Sequence, residues 1–225
     1  MVKVKICGVT TFDDALAAAR AGADILGLNF YKKSPRYLDP VVAADLVRRL
    51  RAELGATAPQ IVGVFVNEIV GRISITMEQV GFSAAQLSGD ESVELLKELH
   101  GAGYKGIRPR SLNEALDDLG YFAPGEPPSE RLPSLLLDAH HPDLYGGTGQ
   151  QASIEVAQAI KARTPRLLLA GGLTPDNVAE IVQTVRPWGV DVASGVEIEG
   201  KPGAKDAGKM RAFIEAVRSA GADGG

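Results

Sequence analysis

Eight short runs rich in Val, Ile and Leu, each followed by a longer amphipathic segment, set the terms for how this chain folds. They are VKICG (4–8), ILGLNF (25–30), IVGVFVN (61–67), AAQLSG (84–89), YKGIRP (104–109), SLLLDAH (134–140), RLLLAGG (166–172) and VDVASG (190–195). This alternation is the rhythm of strand–helix units feeding a parallel sheet, and several runs are almost continuously apolar, as strands covered on both faces must be. Eight such units close most simply into a TIM barrel, for which 225 residues are compact but sufficient. The expected organisation is a single-domain α/β (βα)8 TIM barrel over residues 1–218, followed by a short flexible tail, SAGADGG, over 219–225.

Helix starts follow the strands where this architecture needs them. Thr11-Phe12-Asp13-Asp14 and Ser111-Leu112-Asn113-Glu114 fit a capping box, and Thr174-Pro175 sets a hydroxyl before a proline suited to a first helical position. The segment APGEPPSERLPS (123–134), with four prolines, reads as a surface loop before the sixth strand.

Lys and Arg total 24 against 28 for Asp and Glu, a net charge of -4, and no block of like charge suggests a nucleic-acid or membrane arm. No apolar run approaches the roughly 20 residues of a membrane span. A single cysteine forbids an intramolecular disulfide, and no signal-peptide pattern opens the chain. The expected setting is therefore the cytoplasm, with neither nucleic acid nor membrane as partner.

In a TIM barrel the chemistry sits at the C-terminal ends of the strands. There the chain places Cys7, Arg36 in KKSPRY, the run QLSGDE, Asp138, Gly171-Gly172 and Ser194-Gly195. The two glycine turns follow strands seven and eight, where exposed backbone N–H groups and helix N-termini recurrently hold phosphate. One Gly-Gly pair is ordinarily just a tight turn; two such turns on adjacent strands point to an anion. A lone Cys in an apolar strand is ordinarily a small buried hydrophobe, and an Asp after three leucines is ordinarily a turn former. Their shared position on the rim, with Gly8 clearing space beside Cys7, favours chemistry. His140 and His141 could suggest a metal, but the remaining histidine, His100, falls in a helical stretch, so no metal site is expected.

The runs KICGVT, GADILGLNFYKKSPRYL, VGVFVN, QLSGDE, LLLDA with GGTG, LAGGLTPDNV and DVASGVE with GAKD, taken in order, resemble phosphoribosylanthranilate isomerase of tryptophan biosynthesis over nearly the whole chain. The resemblance implies an enzyme that needs no metal or cofactor and carries out an Amadori rearrangement of a small phosphosugar, N-(5-phosphoribosyl)anthranilate, as a monomer or homodimer. It implies Cys7 as general base and Asp138 as general acid. Arg36 would pair with the anthranilate carboxylate, with Gln86 and Asp191 also on the substrate. Gly171, Gly172, Ser194 and Gly195 would hold the phosphate, and Gly146, Gly147, Thr148 and Gly149 would form a lid. For Asp138 to donate a proton, burial without a cationic partner is expected. Cys7 would need an accessible, electropositive setting.

The chain departs from the family pattern at Ser88, where the family reads QLHG, at Ala193, where it reads SSGVE, and at Gln150-Gln151 after GGTG. A related phosphosugar isomerase of histidine biosynthesis would carry an acid in place of Cys7. A non-catalytic or specificity-shifted sugar-phosphate binder is the other reading, and it would need neither Cys7 nor Asp138.

Overall fold

The computed structural model describes residues 1–82, 84–122, 129–138 and 147–222, with the backbone alone for 147–153. Eight parallel strands close in sequence order into a barrel: β1 (Lys3–Cys7), β2 (Ile25–Asn29), β3 (Gln60–Phe65), β4 (Ala84–Leu87), β5 (Gly103–Ile107), β6 (Leu135–Asp138), β7 (Leu167–Ala170) and β8 (Gly189–Val192). The helices between and after them are α1 (Phe12–Ala21), α2 (Pro40–Leu54), α3 (Val70–Val80), α4 (Val93–Glu98), α5 (Leu112–Phe122), α6 (Gly147–Lys161), α7 (Val178–Val185) and α8 (Ala207–Ala222). All eight expected strands are present, and they stop earlier than the apolar runs do. Left-handed backbone at Gly8, Asn67, Gly171 and Gly172 turns the chain out of the sheet and leaves those residues on the rim.

Two faces of each strand serve two cores. Val4, Ile6, Leu26, Leu28, Leu135, Leu137, Leu167, Leu169, Val190 and Val192 join the helices in one apolar cluster. Helix α8 contributes Met210, Phe213, Ile214 and Val217, buried at the spacing of one helical face. Ile25, Val62, Ala84, Tyr104, Leu136 and Leu168 form a second, smaller cluster from the opposite strand faces, inside the barrel. Leu132 joins this inner cluster, so the end of the proline-rich segment packs into the barrel floor instead of lying on the surface.

Thr11 caps α1 by accepting from the Asp14 N–H at 3.1 Å, and Ser111 accepts from the Glu114 N–H at 3.2 Å. Thr174 acts differently from its expected role. Its carbonyl accepts the Val178 N–H at 3.1 Å, and α7 begins only at Val178, after a turn. Helix α8 runs to Ala222 with Ala220 buried, so residues 219–222 of the expected tail belong to the barrel; 223–225 lie outside the described residues.

Among the described residues no helix is long and apolar enough to cross a membrane.

Glycines test this packing in both directions. A Cβ on Gly63 of β3 would stand 2.5 Å from the Phe82 ring, whereas one on Gly120 of α5 meets nothing within 4 Å. Gly63→Ala is expected to lower unfolding free energy by about 1–3 kcal/mol through overpacking, and Gly120→Ala to raise it by about 0.5–1 kcal/mol. Urea melts of the two variants check both signs.

Candidate active site at the C-terminal mouth

Period-two alternation dictates what the barrel holds above its apolar floor. On β1, Val4 and Ile6 face the helices, which turns Lys5 and Cys7 inward. On β8 the residue in register with Lys5 is Asp191, and the two join across the barrel seam, Lys5 Nζ to Asp191 Oδ1 at 3.0 Å, both buried. Cys7 Sγ lies beside this pair. A Cβ on Gly27 of β2 would be 2.9 Å from Sγ and 3.2 Å from Lys5 Nζ, so the missing side chain of Gly27 provides the room in which thiol and ammonium meet.

Burial pushes the Cys7 thiol up, and the Asp191 charge adds to that; Lys5 pulls strongly the other way, aided by Lys205. The expected electropositive setting is present, and burial outweighs it, so the resting group is a thiol. Burial also pushes Asp191 up, more than Lys5 lowers it, with the charge of Asp138 adding to the shift. For Lys5 burial works against the charge, but Asp191, Cys7 and Tyr104 outweigh it and keep the side chain an ammonium. Across the barrel, Tyr104 donates from its hydroxyl to Gln86 Oε1 at 3.0 Å, and Gln86 Nε2 donates to Ser88 Oγ at 3.0 Å. Gln86 thus aims Ser88 where the family pattern has an imidazole.

Arg36 reaches the rim by crossing the backbone at Gly8, where φ is +71° and a Cβ would stand 2.4 Å from Arg36 Cδ. The space cleared by Gly8 therefore belongs to Arg36. The guanidinium grips Glu197 with two bonds, Nε to Oε1 at 2.7 Å and Nη2 to Oε2 at 2.8 Å. Lys205 Nζ and the Gly203 N–H each donate to Oε1 at 3.0 Å. Burial opposes the Glu197 charge, but Arg36, Lys205 and Gly203 together hold its carboxyl at about 2. The pairing with Glu197 raises Arg36 in turn, while burial outweighs the same carboxylate at Lys205 and lowers it. The end-on Nη1/Nη2 edge of Arg36 has no partner among the described residues.

The two glycine turns pack directly on each other. A Cβ on Gly195, in the 3-10 turn Ser194–Val196, would stand 1.9 Å from the Leu173 carbonyl oxygen. Asn177 braces the neighbouring loop, donating from Nδ2 to the Gly172 carbonyl at 3.0 Å and accepting the Thr174 N–H at 2.8 Å. Among the described residues no acceptor takes the N–H groups of Gly171, Gly172 or Gly195.

Asp138 ends β6 and accepts from Arg108 Nε at 3.0 Å, with the two side chains 25% and 68% exposed respectively. This corrects the expectation of a buried acid with no cation beside it: the inward parity of β5 extends to Arg108, at the same level of the mouth. Of the expected lid, Gly147, Thr148 and Gly149 form the first turn of α6, and Gly146 lies outside the described residues, as do His140 and His141. No group of metal-ligating side chains occurs among the described residues.

The rim thus carries, in barrel order, Asp138 (β6), the glycine turns (β7 and β8), Cys7 (β1) and Arg36 (after β2). Comparison with known proteins gives this constellation its family. The model for N-(5'-phosphoribosyl)anthranilate isomerase matches residues 4–216. A relative of that name from Trichlorobacter lovleyi is 43% identical over 220 residues, spanning 98% of this chain and 100% of its own. The chain belongs to the N-(5'-phosphoribosyl)anthranilate isomerase family. The crystal structure of the isomerase from Thermotoga maritima superposes with a TM-score of 0.81 at 35% identity, covering 97% of this chain and all of that one. Another isomerase structure, in complex with reduced 1-(o-carboxyphenylamino)-1-deoxyribulose 5-phosphate, gives 0.79 at 33% identity, with 97% and 100% covered. The chain is accordingly an isomerase of tryptophan biosynthesis.

For an N-(5'-phosphoribosyl)anthranilate isomerase, the sequence reading left out residues that hold its named groups in place: Lys5, Gly27, Arg108, Asn177, Glu197 and Lys205. All six stand in the runs KICGVT, GADILGLNFYKKSPRYL, YKGIRP, LAGGLTPDNV, DVASGVE and GAKD, but nothing in the sequence joins Glu197 or Lys205 to Arg36. Because the Glu197 carboxyl is lower in the folded state, its contribution to stability is present above the ordinary glutamate range of about 4.3 and is lost as pH falls through about 2. The stability gap between wild type and Glu197→Gln, read from urea melts at successive pH values, is therefore expected to be wide at neutral pH and to shrink below pH ~4.

Proposed function

We propose that the mouth binds N-(5-phosphoribosyl)anthranilate with its phosphate on the N–H groups of Gly171, Gly172, Ser194 and Gly195 and its anthranilate carboxylate on the end-on edge of Arg36. The observation that carries this reading is the barrel order. Cys7 on β1 stands between an anion-seeking pair of turns on β7 and β8 and an arginine fork after β2, while Asp138 flanks the turns on the other side. A ligand with a phosphate at one end and a carboxylate at the other is thereby stretched past the thiol. The reduced product bound by the related isomerase has this form.

The chemistry then needs one acid and one base. Asp138, ion-paired with Arg108 in this structure, takes up a solvent proton and gives it to the ribose ring oxygen, the C1–O bond breaks, and the anilino nitrogen lone pair closes a C1=N Schiff base. The Cys7 thiolate removes the proton on carbon 2, and that electron pair becomes the C1=C2 bond of an enolamine as nitrogen regains its lone pair. Loss of the enol proton and protonation at C1 give the aminoketone. Asp191, tied to Lys5 through Oδ1, has its second oxygen for the sugar or the amino group. Gln86 acts on the substrate side through Ser88, which it orients.

The two roles separate under mutation. Cys7→Ser keeps size and a hydrogen-bonding group but loses a thiol of ordinary pKa about 8.5 for a far weaker acid, so turnover should collapse while substrate still binds. Asp138→Asn should lose about two or more orders of magnitude in turnover. Single-turnover rates and substrate binding on the folded variants check both. Wild-type turnover by Cys7→Ser would make Cys7 a packing residue and move the base elsewhere.

A further inference from the structure

A lysine buried inside a barrel costs desolvation that its neighbours must offset. Lys5 has no exposed surface at all, and the rearrangement above does not use it directly. We propose that Lys5 is the positioning residue for Cys7: its ammonium, anchored by Asp191 at 3.0 Å, aims the thiol into the mouth and stabilises the thiolate that takes the substrate proton. This inference rests on Cys7 being the base.

Geometry comes first. Lys5 and Cys7 are two residues apart on β1, so both project inward, and Nζ and Sγ converge on the space left by Gly27. Lys5 is fully buried, so its charge acts on sulfur with less screening than a surface charge would. The charged and titratable groups facing Cys7 come from several elements: Lys5 on β1, Asp191 on β8, Lys205 and Arg36 from the loops after β8 and β2, and Tyr104 on β5 near enough to feel the thiolate. Arg36 and Lys205 already share Glu197. Lys5 is held by Asp191 alone among the described carboxylates, and Asp191 opposes the thiolate that Lys5 favours. The two members of the ion pair therefore act on Cys7 with opposite sign, so removing either charge moves the thiol in its own direction.

The sequence supplies a clean readout, since Cys7 is the only cysteine. Iodoacetamide alkylation of the folded protein, followed against pH, titrates that thiol without any turnover. Lys5→Met keeps length and removes charge; its alkylation midpoint is expected to rise by about one pH unit or more, making alkylation about tenfold slower at neutral pH. Its kcat should fall with KM little changed, and the lost kcat should return as pH is raised. Asp191→Asn should move the alkylation midpoint down. Midpoints unchanged in both folded variants, or moving in the same direction, would overturn the proposal. If Lys5→Met does not fold, Lys5→Gln, also uncharged but able to hydrogen-bond Asp191, takes its place: an upward shift supports the proposal, and no shift or a downward one refutes it. Turnover by Cys7→Ser judges the role of Cys7 separately, so the two failures are distinguishable.

Discussion

The ion pair between Lys5 and Asp191 ties the first strand to the last, at the seam where the barrel closes. Two charges taken out of water are tolerable only in close contact, and this pair shares the barrel interior with an apolar cluster that includes Ile25, Val62, Leu136 and Leu168. The interior is thereby divided into a hydrophobic floor that holds the strands together and a polar upper half that opens on the rim. Gly27 belongs to the same constraint. Any side chain there would strike Cys7 and Lys5, so the strand beside the seam gives up its own packing to let thiol and ammonium approach.

A second network fixes the outer ring of the mouth. Glu197, just past β8, gathers Arg36 from the loop after β2, Lys205 from the loop before α8, and the Gly203 N–H. Thr10, from the loop after β1, donates to the Gly203 carbonyl at 2.8 Å. Three loops far apart in sequence are therefore locked into one surface before any substrate arrives, and the side-on edge of Arg36 is already committed. A carboxylate can approach only end-on, which narrows the orientations a ligand can take. Preorganisation of this kind lowers the ordering cost of binding.

Much of this was legible in the sequence because it depends on local pattern. Eight apolar runs specify eight strands, and a residue that ends such a run is on the rim of a barrel whatever its partners. Cys7, Asp138 and the glycine turns could be placed that way, whereas Asp191, inside its run, is reached only through the family resemblance. Their neighbours could not, because contacts made across the barrel depend on how the sheet closes. Lys5, alternating with Val4 and Ile6, has the pattern of a solvent-facing residue, and only closure turns that face inward. Arg36 and Glu197 are 161 residues apart, and no local signal joins them. Arg108 meets Asp138 because β5 and β6 share a register that leaves both at the same level of the mouth. Leu132 resembles a loop residue until the barrel floor is seen to need a plug.

The account holds that a thiol raised by burial and restrained by Lys5 is the base for the proton on carbon 2. Its most direct test is the pH dependence of the single-turnover rate of the wild-type enzyme, measured with ordinary substrate and with substrate carrying deuterium at carbon 2. The account predicts a slower rate with deuterium and a rate that rises with pH along the ionisation curve that Cys7 shows toward an alkylating reagent. A deuterium-sensitive rate that stays flat across that ionisation would contradict it, since proton removal would then be carried by a group other than Cys7.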